Sequence, residues 1–240
     1  MKYVMLFLVL LSVSVPHAAH AEIDVIGFQQ KMDELNRIKP LQNPKLLQSK
    51  DVLARTIFGS KSKAVGTVKD IYVFTADKED EWDAGDVSDL SVVFDRLRLN
   101  DTVFLDLHKM TIIPGDDSYG LPFSDEEIKR LYPDLPRTLG DETERLGVKS
   151  LLGKPVTSAD GTKLGTIGDL LFNGGGKKKA AVKKLLAVYV KVNAGVINDV
   201  GVAVPFQAFT FHEYHGRLSA SLPNNEAALL LSYVKGKNEF

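Results

Sequence analysis

Cysteine is absent from this chain of 240 residues. Its absence excludes disulfide scaffolds, thiol catalysis, iron–sulfur clusters and zinc sites with cysteine ligands. A charge imbalance is absent too, because 30 Lys and Arg stand against 31 Asp and Glu. This balance argues against a nucleic-acid partner, which would require an extended basic surface, and against an acidic disordered tail. The length fits one or two globular domains.

Long apolar runs are confined to the N-terminus. Lys2 precedes an apolar run over residues 3–15, and Ala19-His20-Ala21 is a small-x-small pattern typical of signal-peptide cleavage. A helix over that run rises only about 20 Å, short of the roughly 30 Å hydrocarbon core of a bilayer. We therefore predict that residues 1–21 are a signal peptide cleaved after Ala21. An exported chain without cysteine does not depend on oxidation to fold, which favours the periplasm.

A duplication is the strongest internal pattern in the rest of the chain. Residues 53–73 lie over residues 152–172 at an offset of 99 residues, with matching apolar positions between the identities. The same offset places 103–107 over 202–206, and one offset that serves two separated blocks predicts two copies of one domain. The identical pairs are Leu53 and Leu152, Gly66 and Gly165, Thr67 and Thr166, and Asp70 and Asp169.

Each copy shows the patterns of short β-strands. Val188, Val190 and Val192 alternate with less apolar residues, which is the period of a half-buried strand. Asp160-Gly161 is a turn of the kind that joins hairpin strands. Gly66 and Gly165 interrupt strand patterns, where glycine usually marks a bulge or a tightly curved corner. Several short strands at close spacing predict a small antiparallel barrel in each copy.

The second copy resembles the PRC-barrel domain family. The resemblance rests on the run 152–169, which includes the Asp160-Gly161 turn, and on Val202-Ala203-Val204-Pro205-Phe206 after a valine-rich strand. The first copy is a more diverged match, with Asp106 at the position of Pro205. The resemblance implies a mainly β fold of two tandem small antiparallel β-barrels, joined and flanked by short α-helices. Together with the predicted signal peptide, it indicates an exported bacterial member of the family. It implies modules for assembly or interaction, and it supplies no catalytic residue and no cofactor.

Helical signals flank and separate the two copies. Phe28 and Met32 recur at helical spacing, Ser124 and Glu127 form a capping-box pattern, and Asn224 or Asn225 can cap a last helix that Gly236 ends. The predicted division is a signal peptide at 1–21, an N-terminal helical segment at 22–47, a diverged barrel at 48–122, a linker with a short helix at 123–146, a second barrel at 147–222 and a C-terminal helix at 223–240.

Residues suited to catalysis or metal binding are few. His212, Glu213 and His215 lie near a predicted hairpin end, where a turn could bring the two histidines together around a metal ion. Asp106 and His108 share one face of a strand and could form a proton-transfer pair. Groups in such patterns are more often solvated surface groups, and we favour that interpretation for both sets. The sequence has no nucleophile elbow, phosphate loop, helical zinc motif or EF-hand spacing, so we predict neither an enzyme nor a resident metal or cofactor.

Two loops of opposite charge occupy comparable positions in the two copies. The segment 77–89 holds seven acidic residues and one lysine around the only tryptophan, and the segment 174–184 holds five lysines and no acid. They can be solvated loops, meet each other between barrels or between molecules, or bind outside partners such as cations and anionic headgroups. The candidate interaction residues are Asp77, Glu79, Asp80, Glu81, Trp82, Asp83, Lys177, Lys178, Lys179, Lys183 and Lys184.

The function that these patterns favour is binding without catalysis. We predict a periplasmic binding or scaffolding protein that mediates protein–protein assembly, with a partner that the sequence does not identify. Two alternatives stay open at this point. One is an envelope-surface protein held to anionic lipid by its lysine-rich loop, and the other is a metal-dependent enzyme that uses the few histidines and carboxylates.

Overall fold

A computed structural model of the chain describes residues 25–77, 82–107, 113–114, 118–139, 145–174, 182–195, 197–215 and 217–238. Within these ranges the chain forms two seven-stranded sheets and a few short helices, which confirms the predicted mainly β class. The predicted signal peptide at 1–21 lies outside the described residues. In the part of the chain that the structure describes, no helix combines the length and the apolar character needed to cross a bilayer.

The regular elements alternate along the whole described chain. The strands are β1 (Leu46–Gln48), β2 (Thr56–Phe58), β3 (Ala64–Phe74), β4 (Val87–Phe94), β5 (Leu99–Asp106), β6 (Ile113–Pro114), β7 (Ser118–Gly120), β8 (Arg145–Gly147), β9 (Pro155–Ser158), β10 (Lys163–Asn173), β11 (Leu185–Ala194), β12 (Ile197–Pro205), β13 (Thr210–Tyr214) and β14 (Arg217–Leu222). The α-helices are α1 (Val25–Asn36), α2 (Ser49–Val52), α3 (Asp125–Leu131), α4 (Val148–Leu151) and α5 (Asn224–Asn238). Four short 3₁₀ turns occupy Pro40–Gln42, Asp95–Leu97, Tyr132–Asp134 and Phe206–Ala208.

The two sheets have the same strand order. The first runs β5-β4-β3-β2-β7-β6 and the second runs β12-β11-β10-β9-β14-β13, so each strand has its counterpart about 99 residues further on. Two features differ from the predicted antiparallel barrels. β2 pairs with β7 and β9 pairs with β14 in parallel, and the end strands of each sheet do not pair with each other among the described residues.

Each sheet takes its seventh strand from the other half of the chain. β1 precedes the first sheet in sequence and pairs with β10 of the second, whereas β8 precedes the second sheet and pairs with β3 of the first. The two registers correspond residue for residue, because Tyr72 opposite Gly147 becomes Leu171 opposite Gln48 at the same offset. β1 therefore lies across the predicted boundary at residue 47, and its pairing partner is the second sheet.

The repeated aspartates fasten these exchanged segments. Asp169 Oδ1 on β10 accepts hydrogen bonds from the backbone N–H and the hydroxyl of Ser49, at 3.1 and 2.5 Å. Asp70 Oδ1 on β3 accepts the backbone N–H of Lys149 at 3.1 Å. Each aspartate therefore satisfies an amide at the start of the short helix that follows the exchanged strand, where the helix has no acceptor of its own. The identity of Asp70 and Asp169 in the repeat has this structural cause.

The environment of Asp70 predicts a pH effect on stability. Burial raises the pKa of Asp70 above its ordinary value of 3.8, against the lowering effect of the Lys149 and Ile71 amides. Because the pKa is higher in the folded state, the stabilising contribution of Asp70 is full below pH 3.8 and is lost as the pH rises through the folded pKa. We expect Asp70→Asn, which keeps an acceptor oxygen and does not titrate, to gain stability relative to the wild type as the pH rises from about 4 to about 7. Urea unfolding at each pH measures this difference, and a difference that stays constant or shrinks contradicts the argument.

One hydrophobic core joins the two sheets. It contains Ile57 and Leu105 from the first sheet together with Val156 and Val204 from the second, all with no exposed surface. The alternation predicted for β11 is confirmed, because Val188, Val190 and Val192 are all buried in this core. Shared burial means that neither sheet encloses its apolar face alone, as expected for units of this size.

The predicted structural glycines and turn lie on β10, on β3 and beside β9. Gly165 and Gly66 are sites of close strand approach, since a Cβ would lie 2.1 Å from the Lys191 carbonyl oxygen at Gly165 and 2.6 Å from the Val93 carbonyl oxygen at Gly66. Gly161 has a φ of +86° and joins β9 to β10, and Asp160 accepts the Thr162 amide at 2.9 Å within the same turn.

The helices follow their predicted signals except in α5, where Asn224 is the first helical residue and Pro223 takes the position predicted for an asparagine cap. Ser124 and Glu127 form the predicted capping box at the start of α3, and Phe28 and Met32 are buried on α1. α5 continues through Gly236 to Asn238 rather than ending at the glycine, because Gly236 adopts a helical conformation that any residue can take. The C-terminal helix is therefore longer than the sequence pattern predicted.

Candidate functional site

A groove of about 450 Å³ lies on the outer side of the second sheet. Three segments that are distant in the sequence form it. They are the segment from the C-terminal half of α1 to the start of β1, the adjoining ends of β10 and β11, and the end of β12 with the turn that follows it. The lining residues are Lys31, Glu34, Leu35, Arg37, Ile38, Asn43, Lys45, Leu46, Asn173, Lys184, Leu185, Leu186, Pro205 and Gln207.

α1 is fixed on this side of the sheet by a buried asparagine. Asn36 Nδ2 donates to the Ala203 carbonyl at 2.7 Å, and Asn36 Oδ1 accepts the Ala203 amide at 2.9 Å. The side chain thus binds both outward polar groups of one residue of β12, which is an end strand of the sheet. Leu35 packs beside it on a small apolar cluster of Leu171, Ala187 and Ala203. The helix therefore holds Arg37 and Ile38 at the rim of the groove.

The opposite wall depends on the exchanged strand β1. Leu46 pairs with Asn173 at the end of β10, so the first residues after Asn43 run along the sheet. Asn173 Oδ1 accepts the backbone amides of Lys183 and Lys184, at 3.1 and 3.0 Å, which sets the position where β11 begins. The groove thus exists only because residues from before the first sheet join the second.

The two oppositely charged loops meet beside the groove. Lys184 Nζ lies 2.6 Å from Asp83 Oδ2 and 3.4 Å from Asp86 Oδ1. Backbone bonds join the same segments, because the Leu185 amide donates to the Gly85 carbonyl at 2.7 Å. Burial acts to lower the pKa of Lys184, and the hydrogen bond and charge of the two aspartates outweigh it, so the pKa lies above 10.5. Lys184 is therefore a charged link between the halves at neutral pH.

The other predicted loop residues have varied positions. Asp77 accepts the Ala84 amide at 2.6 Å, and Trp82 stacks on Phe74 with ring centroids 4.1 Å apart. Asp89, the last acid of the predicted acidic loop, lies buried within β4 and forms an ion pair with Arg145. Lys183 is exposed. Glu79, Asp80, Glu81, Lys177, Lys178 and Lys179 lie outside the described residues.

The histidine-based candidates do not come together as a site. His212 and Glu213 are exposed on β13, and the His212 ring nitrogen lies 2.9 Å from the Ser221 hydroxyl. His215 is exposed in the following turn, against Tyr214. Asp106 is half-buried at the end of β5, and His108 is outside the described residues. Among the residues that the structure describes, no three His, Asp or Glu side chains could hold a metal ion together.

The groove residues were not among the sequence candidates. Lys31, Arg37 and Lys45 look like ordinary solvated charges in a segment predicted only to pack a helix, and their convergence depends on where β1 pairs. The sequence carries one signal, the apolar residues Ile38 and Leu41 between basic ones, and the structure leaves them 49% and 38% exposed. Apolar side chains left exposed between basic ones are a feature of binding surfaces.

Comparison with known proteins gives one domain match. A search of the curated proteins finds no match to this chain. The model of the PRC-barrel domain family matches residues 144–214. The matched segment contains β8 through β13 and thus most strands of the second sheet, and it includes Asn173, Lys184, Pro205 and Gln207 of the groove. The similarity to the PRC-barrel domain therefore lies in the second half of the chain, and it indicates a non-catalytic domain of a general kind.

Proposed function

We propose that this chain is a non-catalytic periplasmic binding or scaffolding protein that holds a partner protein. The observation that carries the proposal is the groove, which lies on the sheet matched by the PRC-barrel model and has a basic rim beside exposed apolar side chains. A surface that combines charge with exposed apolar groups fits recognition of another molecule. Export by the predicted signal peptide would place this surface in the periplasm.

The reciprocal strands support a scaffolding role. A scaffold must hold its binding surface in a fixed geometry, and here each sheet is completed by a strand from the other half. The shared hydrophobic core and the ion pair between Lys184 and Asp83 add further links between the same two halves of the chain. A groove whose walls come from both parts of the chain is thus held by the whole fold.

We propose also that the first half is a second, diverged PRC-barrel domain. The support is the identical strand order of the two sheets and the residue-for-residue register of β1 and β8 at the 99-residue offset. The divergence includes Asp106 at the position of Pro205, which ends β12. This assignment explains why the second half retains the family pattern, whereas the first half has diverged and serves mainly to complete the second sheet.

In-cell photocrosslinking tests the binding role. A photoreactive residue would replace Ile38 at the groove or, in a second variant, Tyr214 at the β13–β14 hairpin, which is 74% exposed. We expect irradiation of intact cells to give one reproducible protein adduct, identified by mass spectrometry in the periplasmic extract. No specific adduct from either position under mild conditions contradicts the proposed function. An adduct confined to membrane lipid would favour the lipid-bound alternative.

A further inference from the structure

The groove is rich in hydrogen-bond donors that have no acceptor. The side-chain oxygens of its three amides are already occupied, since Asn43 Oδ1 accepts the Lys45 amide, Asn173 Oδ1 accepts two lysine amides and Gln207 Oε1 accepts Lys31 Nζ at 3.4 Å. The donor bound to each oxygen shows which of the two terminal amide atoms is the oxygen, and the other atom is therefore the NH₂ group. Within the described ranges these NH₂ groups form no hydrogen bond.

The cations of the groove exceed its acids. Arg37 and Lys45 form no side-chain hydrogen bond or ion pair with any other residue that the structure describes, and Glu34 is the one carboxylate in the lining. Lys184 is already paired with Asp83 and Asp86 and adds no free charge. The groove thus presents guanidinium, ammonium and amide donors on a chain whose total charge is close to zero. The complementary ligand is rich in carboxylates and carbonyls.

The floor and rim also require apolar groups in the ligand. Leu35, Leu46, Leu186 and Pro205 line the groove, and Ile38 stands half-exposed at its rim. A volume of about 450 Å³ is within the range that binds a compact ligand or a few side chains. A free inorganic anion would leave this apolar surface uncovered, and an acyl chain alone would leave the amide donors without acceptors.

We propose that the groove binds a short peptide segment of the partner protein in which carboxylate side chains alternate with apolar ones. Its carboxylates would bind Arg37 and Lys45, and its backbone carbonyls would accept from the free amide groups of Asn43, Asn173 and Gln207. Its apolar side chains would cover Leu46 and Leu186. The inference rests on the proposed binding function and specifies the chemistry of the partner at this site.

Fluorescence anisotropy with designed peptides tests the inference on the full mature chain. The probe is a fluorescein-labelled peptide in which Glu and Asp alternate with Leu and Val, and its counterpart has Lys at every acidic position. We expect the acidic peptide to bind saturably and the basic peptide not to bind. Arg37→Glu with Lys45→Glu should weaken that binding more than about tenfold, because a hydrogen bond to a charged group contributes about that factor. No saturable binding by the acidic peptide overturns the inference.

A charge-matched variant separates the groove from net charge. Lys163→Glu with Arg217→Glu makes the same change in charge, and Lys163 starts the strand that Asn173 ends, about 33 Å away at the usual rise per residue. We expect this variant to change binding less than about twofold. If both variants weaken peptide binding equally, binding follows the net charge of the chain. If a peptide with Ser in place of Leu and Val binds as tightly as the original peptide, the apolar floor of the groove is not used. Either result overturns the inference.

Two further outcomes separate this inference from the proposed function. If phosphatidylglycerol vesicles bind through Arg37 and Lys45 while the acidic peptide does not, the groove recognises a lipid surface and the peptide inference is wrong. If in-cell crosslinking captures a partner from Tyr214 but the peptide does not bind, the scaffolding function stands and the groove is not its site. Peptide binding that depends on the groove, together with crosslinks from Ile38, supports both.

Discussion

Replacing Arg145 by Met is expected to lower the free energy of unfolding by about 3–5 kcal/mol. Arg145 Nη1 lies 2.9 Å from Asp89 Oδ2, and the two side chains are only 11% and 5% exposed. The guanidinium also lies over the Phe74 ring, 5.3 Å from its centroid. Removal of the cation takes the Arg145 ion pair away from a carboxylate that is buried in β4, and this costs more free energy than the loss of a surface contact. Urea unfolding with linear extrapolation measures the change.

The effect should extend through both sheets. Arg145 begins β8, which pairs with β3 of the first sheet and leads directly into α4 and the second sheet. Loss of the ion pair therefore weakens a link between the halves, and we expect a single cooperative transition at lower urea rather than separate unfolding of one sheet.

Two comparison variants make the Arg145 prediction specific. Arg137→Met removes an exposed arginine that covers Tyr132 outside both sheets, and we expect a cost of about 1 kcal/mol or less. Arg145→Met combined with Asp89→Leu removes both charges and should recover much of the loss, because the buried carboxylate is then removed together with its cation. A cost for Arg145→Met no larger than that for Arg137→Met would show that the buried ion pair is not a stabilising link.

Local patterns in the sequence were sufficient for the fold class. The alternating valines of β11 predicted which side chains enter the core, since a strand turns successive residues to opposite faces. The capping box at Ser124 predicted the start of α3, because both of its hydrogen bonds lie within four residues. The identity of Asp70 and Asp169 indicated a repeat before any role for these carboxylates was known. In each case the contacts that determine the structure lie close together in the sequence or are repeated in the second copy.

The exchange of β1 and β8 could not be predicted in this way. Periodicity shows which face of a strand is buried but not which edge its backbone meets, and Leu46–Gln48 is too short to show a period. Its partner Asn173 lies far along the chain, and only the packing of the two sheets against each other selects it. The groove follows from this pairing, so the convergence of Arg37 and Lys45 was equally inaccessible.

The same distinction applies to the repeated glycines. A glycine within a strand pattern predicted a bulge or corner, and a positive φ is the usual reason for such a residue. Gly66 and Gly165 have no positive φ. Each lies at a register shift of its strand pairing, as predicted for a bulge, and a Cβ there would meet the close backbone of the adjoining strand. The distance between adjoining strands is a property of the tertiary structure. The sequence therefore shows where the repeated glycines are but not why glycine is required there.

Gly165→Val should therefore destabilise the chain by about 3 kcal/mol or more, as overpacking against backbone does. A Cβ at this position would lie 2.1 Å from the Lys191 carbonyl oxygen and 3.0 Å from the Val192 Cα, and neither atom belongs to a side chain that can rotate away. β10 and β11 would have to separate where they pair, and β10 also holds β1 and β9. Chemical denaturation measures the loss.

Two other glycines separate crowding from backbone conformation. Gly161→Ala introduces a Cβ with no atom within 4 Å but at a φ of +86°, so we expect a cost of about 1 kcal/mol from strain alone. Gly236→Ala, also with open space and within α5, should be neutral or stabilising by up to about 1 kcal/mol, because alanine favours the helix. If Gly165→Val costs no more than Gly161→Ala, the strands can separate easily, and close approach is not why this position is glycine in both copies. A large cost at Gly165 alone shows that β10 and β11 cannot separate at this point, and β10 is also the strand that pairs with β1 at one wall of the groove.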